Sequence, residues 1–155
     1  MQTQVISPRK SLNKAYLKIK PLRTDIDKFK VNLVALLDQI NPAETEEFNK
    51  NVVADFLKNS FYQPNFFINT KGRNDLVIHN NKTANDSVGV IIEVKRSVNA
   101  GEMIKSTNLN NKAMQELVLY YLRERITHKN LEIRNLIVTN VSEWFIFDAN
   151  VFLLL

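Results

Sequence analysis

Three charged residues stand where apolar ones are expected. In "RNDLVIHNNKTANDSVGVIIEVKRS", residues 73–97, Asp75 opens one apolar run, and Glu93 and Lys95 close another. Side chains alternate faces along a strand, so Glu93 and Lys95 share a face while Ile92 and Val94 take the other. If Ile78 pairs with Val90 across an antiparallel hairpin, Asp75 falls opposite Glu93. Two facing carboxylates repel, and an unpaired polar group in a core costs about 2–7 kcal/mol. A cation between the two acids removes the conflict. Mg2+ suits them, because it takes oxygen ligands and completes its shell with waters and substrate phosphate oxygens. Asp75 and Glu93 are therefore read as ligands of Mg2+, with Mn2+ as a substitute and the Val94 carbonyl as a further ligand. Lys95 beside them is a donor suited to orienting water or stabilising a pentavalent phosphate. This reading makes the chemistry phosphodiester hydrolysis and gives Lys95 a part in the reaction rather than in a fixed salt bridge. The plain alternative is an exposed edge strand carrying a salt bridge.

The elements that must position these residues follow from periodicity. Residues 1–22 are basic without a clean period and read as an N-terminal arm. Thr24 with Asp27 marks a helix start. Ile26, Phe29, Leu33, Leu36, Leu37 and Ile40 then recur at helical spacing to near Asn41. Asn41-Pro42-Ala43-Glu44 is a second start signal, with Asn41 as cap and Glu44 completing a capping box. Its helix carries Phe48, Val52, Val53, Phe56 and Leu57 and ends near Ser60. Strands are expected at 65–69, 75–79 and 88–95, a helix at 109–127, and two more strands at 133–140 and 143–149. A strand, a crossover helix and another strand imply a parallel pair. The fold class is α/β: one domain over 1–155, with a mixed central sheet flanked by helices.

Asp75 and then Glu93-Val94-Lys95, behind an acidic helix and in the order αβββαβ, resemble the PD-(D/E)xK nuclease superfamily. The proline of its first motif is replaced here by Asn74. "SLNKAYLKIKP", "FNKNVVADFLKNSFY", "NDLVIHN", "IIEVKR", "MQELVLYYLRER" and "LIVTNVSEWFIFDA" together resemble the N-terminal nuclease region of type IIG restriction–modification polypeptides. The likeness spans roughly residues 11–149. It implies a restriction-endonuclease-like core preceded by an extra helix, and Mg2+-dependent cleavage of double-stranded DNA. It also implies an acid on the helix before the hairpin that helps hold the metal. Glu44, Glu46 and Glu47 are the candidates. At about 100° per residue Glu46 lies at the edge of the apolar face and Glu47 nearly opposite it, so geometry favours Glu46. Similar nucleases place a Gln near the metal early in the next helix, with a Tyr following; Gln115 and Tyr120 hold those positions. A bland alternative for Gln115 is a helix former on the polar face. Lys71, Arg73, Lys82, Arg96, Lys105 and Lys112 flank the motif, and Lys71, Arg73, Arg96 and Lys112 are the chief candidates for the DNA backbone.

Composition bounds the alternatives. The chain has 155 residues, a net charge of +5, no cysteine and three glycines, Gly72, Gly89 and Gly101. Three scattered glycines assemble no phosphate loop or dinucleotide fingerprint. Lack of cysteine excludes disulfides and thiolate zinc sites and fits a cytoplasmic location. No apolar run reaches the roughly 18 residues of a membrane span, so no membrane partner is expected. His79 and His128 show no metal-ligand spacing and read as ordinary polar residues. Trp144, Phe145 and Phe147 read as core. The partners expected are DNA and a transient homodimer that pairs two sites. "DANVFLLL" ends on apolar residues, and the chain shows no methyltransferase or target-recognition region. It therefore reads either as the product of a gene truncated after its nuclease domain or as a piece excised from a longer polypeptide, cutting with little or no sequence preference. Two competing readings remain: a catalytically silent nuclease-like module that binds DNA or protein, and a structure-specific nuclease acting on branched DNA.

Overall fold

The computed structural model describes residues 4–72 and 74–151; the side chains of Asn74 and Asp75 fall outside the description. The arm contains a short helix α1 (Pro8–Ser11) and a 3-10 turn (Tyr16–Lys18), with no buried residue in either. Helix α2 (Arg23–Asp38) follows Leu22, which makes no side-chain cap. Only Leu36 of its apolar stripe is buried, while Phe29 and Leu37 stay exposed. Phe29 meets the Phe56 ring edge-on at 5.7 Å.

Helix α3 (Glu46–Leu57) begins later than the sequence signal indicates. Asn41 does not cap it. The Asn41 side chain accepts from the Ala43 N–H at 2.9 Å and closes a local turn. Thr45 is the cap, its hydroxyl accepting the Phe48 N–H at 3.1 Å. A Ser/Thr oxygen satisfies an orphan N–H as well as Asn does, and Pro42 is thereby left in the preceding turn. The expected capping box at Glu44 is accordingly absent, and Glu46 becomes the first helical residue. Helix α3 continues as a π-type turn, Lys58–Tyr62.

Five strands follow: β1 (Ile68–Lys71), β2 (Asn74–His79), β3 (Val88–Val94), β4 (Asn135–Thr139) and β5 (Trp144–Asp148). They lie in one sheet in chain order. Helix α4 (Lys112–Leu122), extended by a π-type turn at Arg123–Thr127, connects β3 to β4, which pair in parallel. All other pairs are antiparallel. The chain is thus α/β with a five-stranded mixed sheet and helices against it. Strand β1 starts three residues later than expected, because the Asn65 and Phe66 N–H groups turn back to the Tyr62 carbonyl at 3.0 and 2.8 Å.

Strand alternation divides the core in two. Leu76, Ile78, Ile92 and Val94 cluster with Leu36, Val52 and Val53 of α2 and α3. Val77, Ile91, Leu136 and Val138 cluster with Ala113, Met114, Leu117 and Tyr121 of α4. The β1–β2 turn passes through Gly72 at φ 61°, a left-handed conformation open to glycine. Strands β2 and β3 pair Ile78 with Val90 and Leu76 with Ile92. The same register, carried one residue further, brings the Asp75 backbone level with Glu93.

Candidate active site

The carboxyl end of β3 carries a buried ion cluster. Ile91 faces the α4 layer and Ile92 and Val94 the opposite one, so alternation sends Glu93 toward α4. The Lys95 N–H donates to the Thr139 carbonyl at 2.8 Å, extending the ladder with β4 one residue past β3. Lys95 therefore keeps the strand alternation and shares Glu93's side. Glu93 and Lys95 are only 1% and 2% exposed, which rules out the exposed-edge alternative.

The Lys95 ammonium gathers three carboxylates from three elements. Its Nζ lies 2.6 Å from Glu93 Oε1, 2.7 Å from Glu116 Oε2 and 3.4 Å from Glu46 Oε1. Glu46 reaches it from the first turn of α3, where the helix dipole favours an acid. Glu116 reaches it from the second turn of α4. Burial alone would lower the Lys95 pKa. Hydrogen bonds to Glu116 and Glu93, with the charges of Glu93 and Glu46, outweigh it and hold the ammonium well above the ordinary lysine range. The three carboxylates thus favour the charged, hydrogen-bond-donating form of Lys95. At Glu116, burial pushes the carboxyl up. Hydrogen bonds with Lys95 and Glu93, then the charges of Lys95 and Lys112, prevail and hold it below its usual value. Lys95 was expected to stand outside a fixed salt bridge; here it is ion-paired with Glu93, Glu116 and Glu46.

Of the residues singled out from the sequence, Glu46, Glu93 and Lys95 come together. Val94 ends β3 opposite Thr139, with its side chain buried on the α3 face. Asp75 lies in β2, with its side chain outside the described residues, as is Arg73 altogether. Gln115 does not join the cluster; it is exposed and donates to Asn110 Oδ1 at 3.1 Å. Tyr120 packs at the margin of the α4 core with the Arg123 guanidinium 5.8 Å from its ring centroid. Glu44 and Glu47 also stay outside, Glu47 pairing with Lys50 at 2.7 Å. Glu116 is the residue that sequence reasoning passed over. Ala113, Met114, Leu117 and Tyr121 are the buried residues of α4. At about 100° per residue, Glu116 stands closer to that stripe than Gln115 does, which is the signal available.

The flanking cations are largely engaged. Lys112 pairs with Glu102 at 3.2 Å, and Lys71 with Glu124 at 3.0 Å. Arg96 donates to the Pro42 carbonyl at 3.1 Å, tying the turn before α3 to the end of β3. Its Nε is buried without an acceptor among the described residues, so the guanidinium keeps donor capacity. Lys82 and Lys105 are exposed. His79 is buried, with Nδ1 2.7 Å from the Asp86 carbonyl and Nε2 2.9 Å from Asn69 Oδ1.

The donor set bears on a metal. Among the described residues no three His, Asp or Glu side chains are grouped tightly enough to hold an ion unaided. The carboxylates of Glu93, Glu116 and Glu46 are instead held around the Lys95 ammonium.

What the fold and site define is an α/β domain with a buried acid–lysine cluster at the carboxyl end of its parallel strand pair. The chain belongs to the family described as a domain of unknown function, DUF7149, whose model matches residues 6–155. No curated protein and no solved structure matches it. No helix among the described residues is long and apolar enough to cross a membrane.

Proposed function

We propose that the chain is a Mg2+-dependent DNA endonuclease domain with a restriction-endonuclease-like core, of the kind found in type IIG restriction–modification polypeptides. The observation that carries this reading is the Lys95 ammonium at the end of β3, met by Glu93, Glu46 and Glu116 from three separate elements. A buried ion pair gives little stability over an apolar replacement, so a cluster of this size is better explained by chemistry. The order α3-β1-β2-β3-α4-β4 supports the reading, as does the register that brings Asp75 level with Glu93.

Asp75, Glu93 and the Val94 carbonyl would hold the metal, with Glu46 and Glu116 at its margin. When bound, the ion supplies charge neutralisation at the scissile phosphate and activation of water. Lys95, held as an ammonium by its carboxylate partners, donates toward a non-bridging phosphate oxygen. Glu116 and Glu46 hold Lys95 in place and accept hydrogen bonds from its ammonium. Arg96 and Lys112, at the rim, face the phosphate backbone. The working partners are double-stranded DNA, a transient second copy, and methyltransferase and target-recognition regions; the setting is the cytoplasm.

The test is incubation of supercoiled plasmid with Mg2+ or Mn2+. Wild type is expected to nick and linearise it, with chelator or Asp75→Ala abolishing the activity. DNA retardation without cleavage in either metal overturns the enzyme reading and favours the silent module, for which the fully ion-paired Lys95 is the favouring observation. A preference for branched over linear DNA assigns the site to a structure-specific nuclease.

A further inference from the structure

The positive excess of the chain sits in one place. Arg9, Lys10, Lys14, Lys18 and Lys20 precede α2, and no Asp or Glu occurs before Asp25. Their number equals the net charge of +5, so the rest of the chain balances its acids and bases. All of them are exposed. None forms an ion pair among the described residues, whereas Lys95, Lys112 and Lys71 are paired to acids. The arm buries no residue in either of its turns, and its side-chain hydrogen bonds stay local: Ser11 to the Pro8 carbonyl and the Ala15 N–H to Asn13 Oδ1. Among the described residues the side chains of these cations therefore make no ion pair or hydrogen bond.

We infer that residues 9–20 are a grip for the phosphate backbone of nucleic acid. Charge complementarity commits the arm to a polyanion. An anionic membrane would be met by a continuous amphipathic helix with its apolar side chains on one face. Here a four-residue helix and a three-residue turn are separated by Leu12–Ala15, and exposed Leu12, Leu17 and Ile19 share no helix. Lysines act as point charges on phosphates and read no bases. The arm thus supplies affinity in addition to what Arg96 and Lys112 contribute at the rim of the acid cluster. The inference rests on the nucleic-acid reading above for its ligand class, yet it does not depend on cleavage.

The experiment measures binding of the full chain to a short duplex DNA in chelator across a salt series. Wild type is compared with a variant carrying Arg9→Gln, Lys10→Gln, Lys14→Gln, Lys18→Gln and Lys20→Gln. At about 0.9 per phosphate contact, the slope of log affinity against log salt should fall by about 4–5, with at least about 100-fold weaker binding near 0.1 M salt. The melting temperature should not change. An unchanged slope overturns the inference. So does a variant that loses affinity for phosphatidylserine vesicles while keeping its affinity for the duplex. Arm-dependent binding without cleavage in Mg2+ would remove the nuclease reading and leave the grip standing; cleavage with no arm dependence would do the reverse.

Discussion

Lys95 has three carboxylates within 3.4 Å of its Nζ, and each acid around it has a distinguishable part. Glu93 is buried with it, so removing the ammonium breaks a buried ion pair. Lys95→Met is expected to destabilise the fold by about 3–5 kcal/mol, the cost of breaking a buried pair. Added Mg2+ should recover part of the lost melting temperature, because a divalent cation answers the same charge. Thermal unfolding with and without Mg2+ checks this; an unchanged melting temperature would show that Glu93 is neutral or solvated. Glu116 and Gln115 are neighbours on α4 with opposite surroundings. Glu116→Gln should lower cleavage about 10–100-fold, the usual effect of disturbing a group that supports a metal site, while Gln115→Ala should leave the rate near wild type. Comparing the two variants on one plasmid decides which residue serves the site. The Glu116 carboxyl also links stability to pH. Its folded pKa is held below the ordinary value of 4.5. Its contribution is therefore fully present above the unfolded pKa and is lost as pH falls through the folded one. Urea unfolding at a series of acidic pH values should show a steeper loss for wild type than for Glu116→Gln, and parallel curves would contradict it.

At the scale of elements, the site depends on where α3 starts. Thr45 caps the helix, and the next residue is the one that reaches Lys95. Thr45→Ala should cost about 0.5–2 kcal/mol and lower cleavage as well, through a displaced Glu46; Thr45→Ser should restore both. Chemical denaturation read beside plasmid cleavage makes the check, and lost stability with full activity would separate Glu46 from the site. That Glu46 rather than Glu47 turns toward the sheet was legible in the sequence from its angular position relative to Phe48, Val52 and Val53. The start itself was not legible. Asn41-Pro42 and Thr45 both carry start chemistry; in the fold Asn41 closes a turn onto the Ala43 N–H and Thr45 takes the cap. Strands β2 and β3 were readable from their Val and Ile content, and their pairing followed from alternation. Strand β1 was displaced because Asn65 and Phe66 complete a turn after α3. Glu116 was passed over in favour of a Gln because a polar residue at the edge of a buried stripe shows its use only when the end of β3 arrives beneath it. Half of the α2 stripe was misleading for a related reason: apolar periodicity marks a face, and Phe29 and Leu37 of that face have little packed over them.

Across the whole molecule, the sheet separates two cores and presents its chemistry at one end. Strand β3 is central, with β2 and β4 on either side, so a charge at its carboxyl end meets both helical layers at once: α3 through Glu46 and α4 through Glu116. Packing alone does not require such a convergence, since Ile92 and Val94 already join β3 to the α3 layer and Ile91 joins it to α4. The central claim is that the cluster is a metal site and more than a structural ion pair. Titration with Mn2+, followed by paramagnetic resonance, addresses it most directly. The account predicts saturable binding to the wild-type chain, weakened at least about 10-fold by either Glu93→Gln or Asp75→Asn, both of which remain folded. Binding of equal strength to wild type and both variants, or no saturable binding to the wild type, would contradict it.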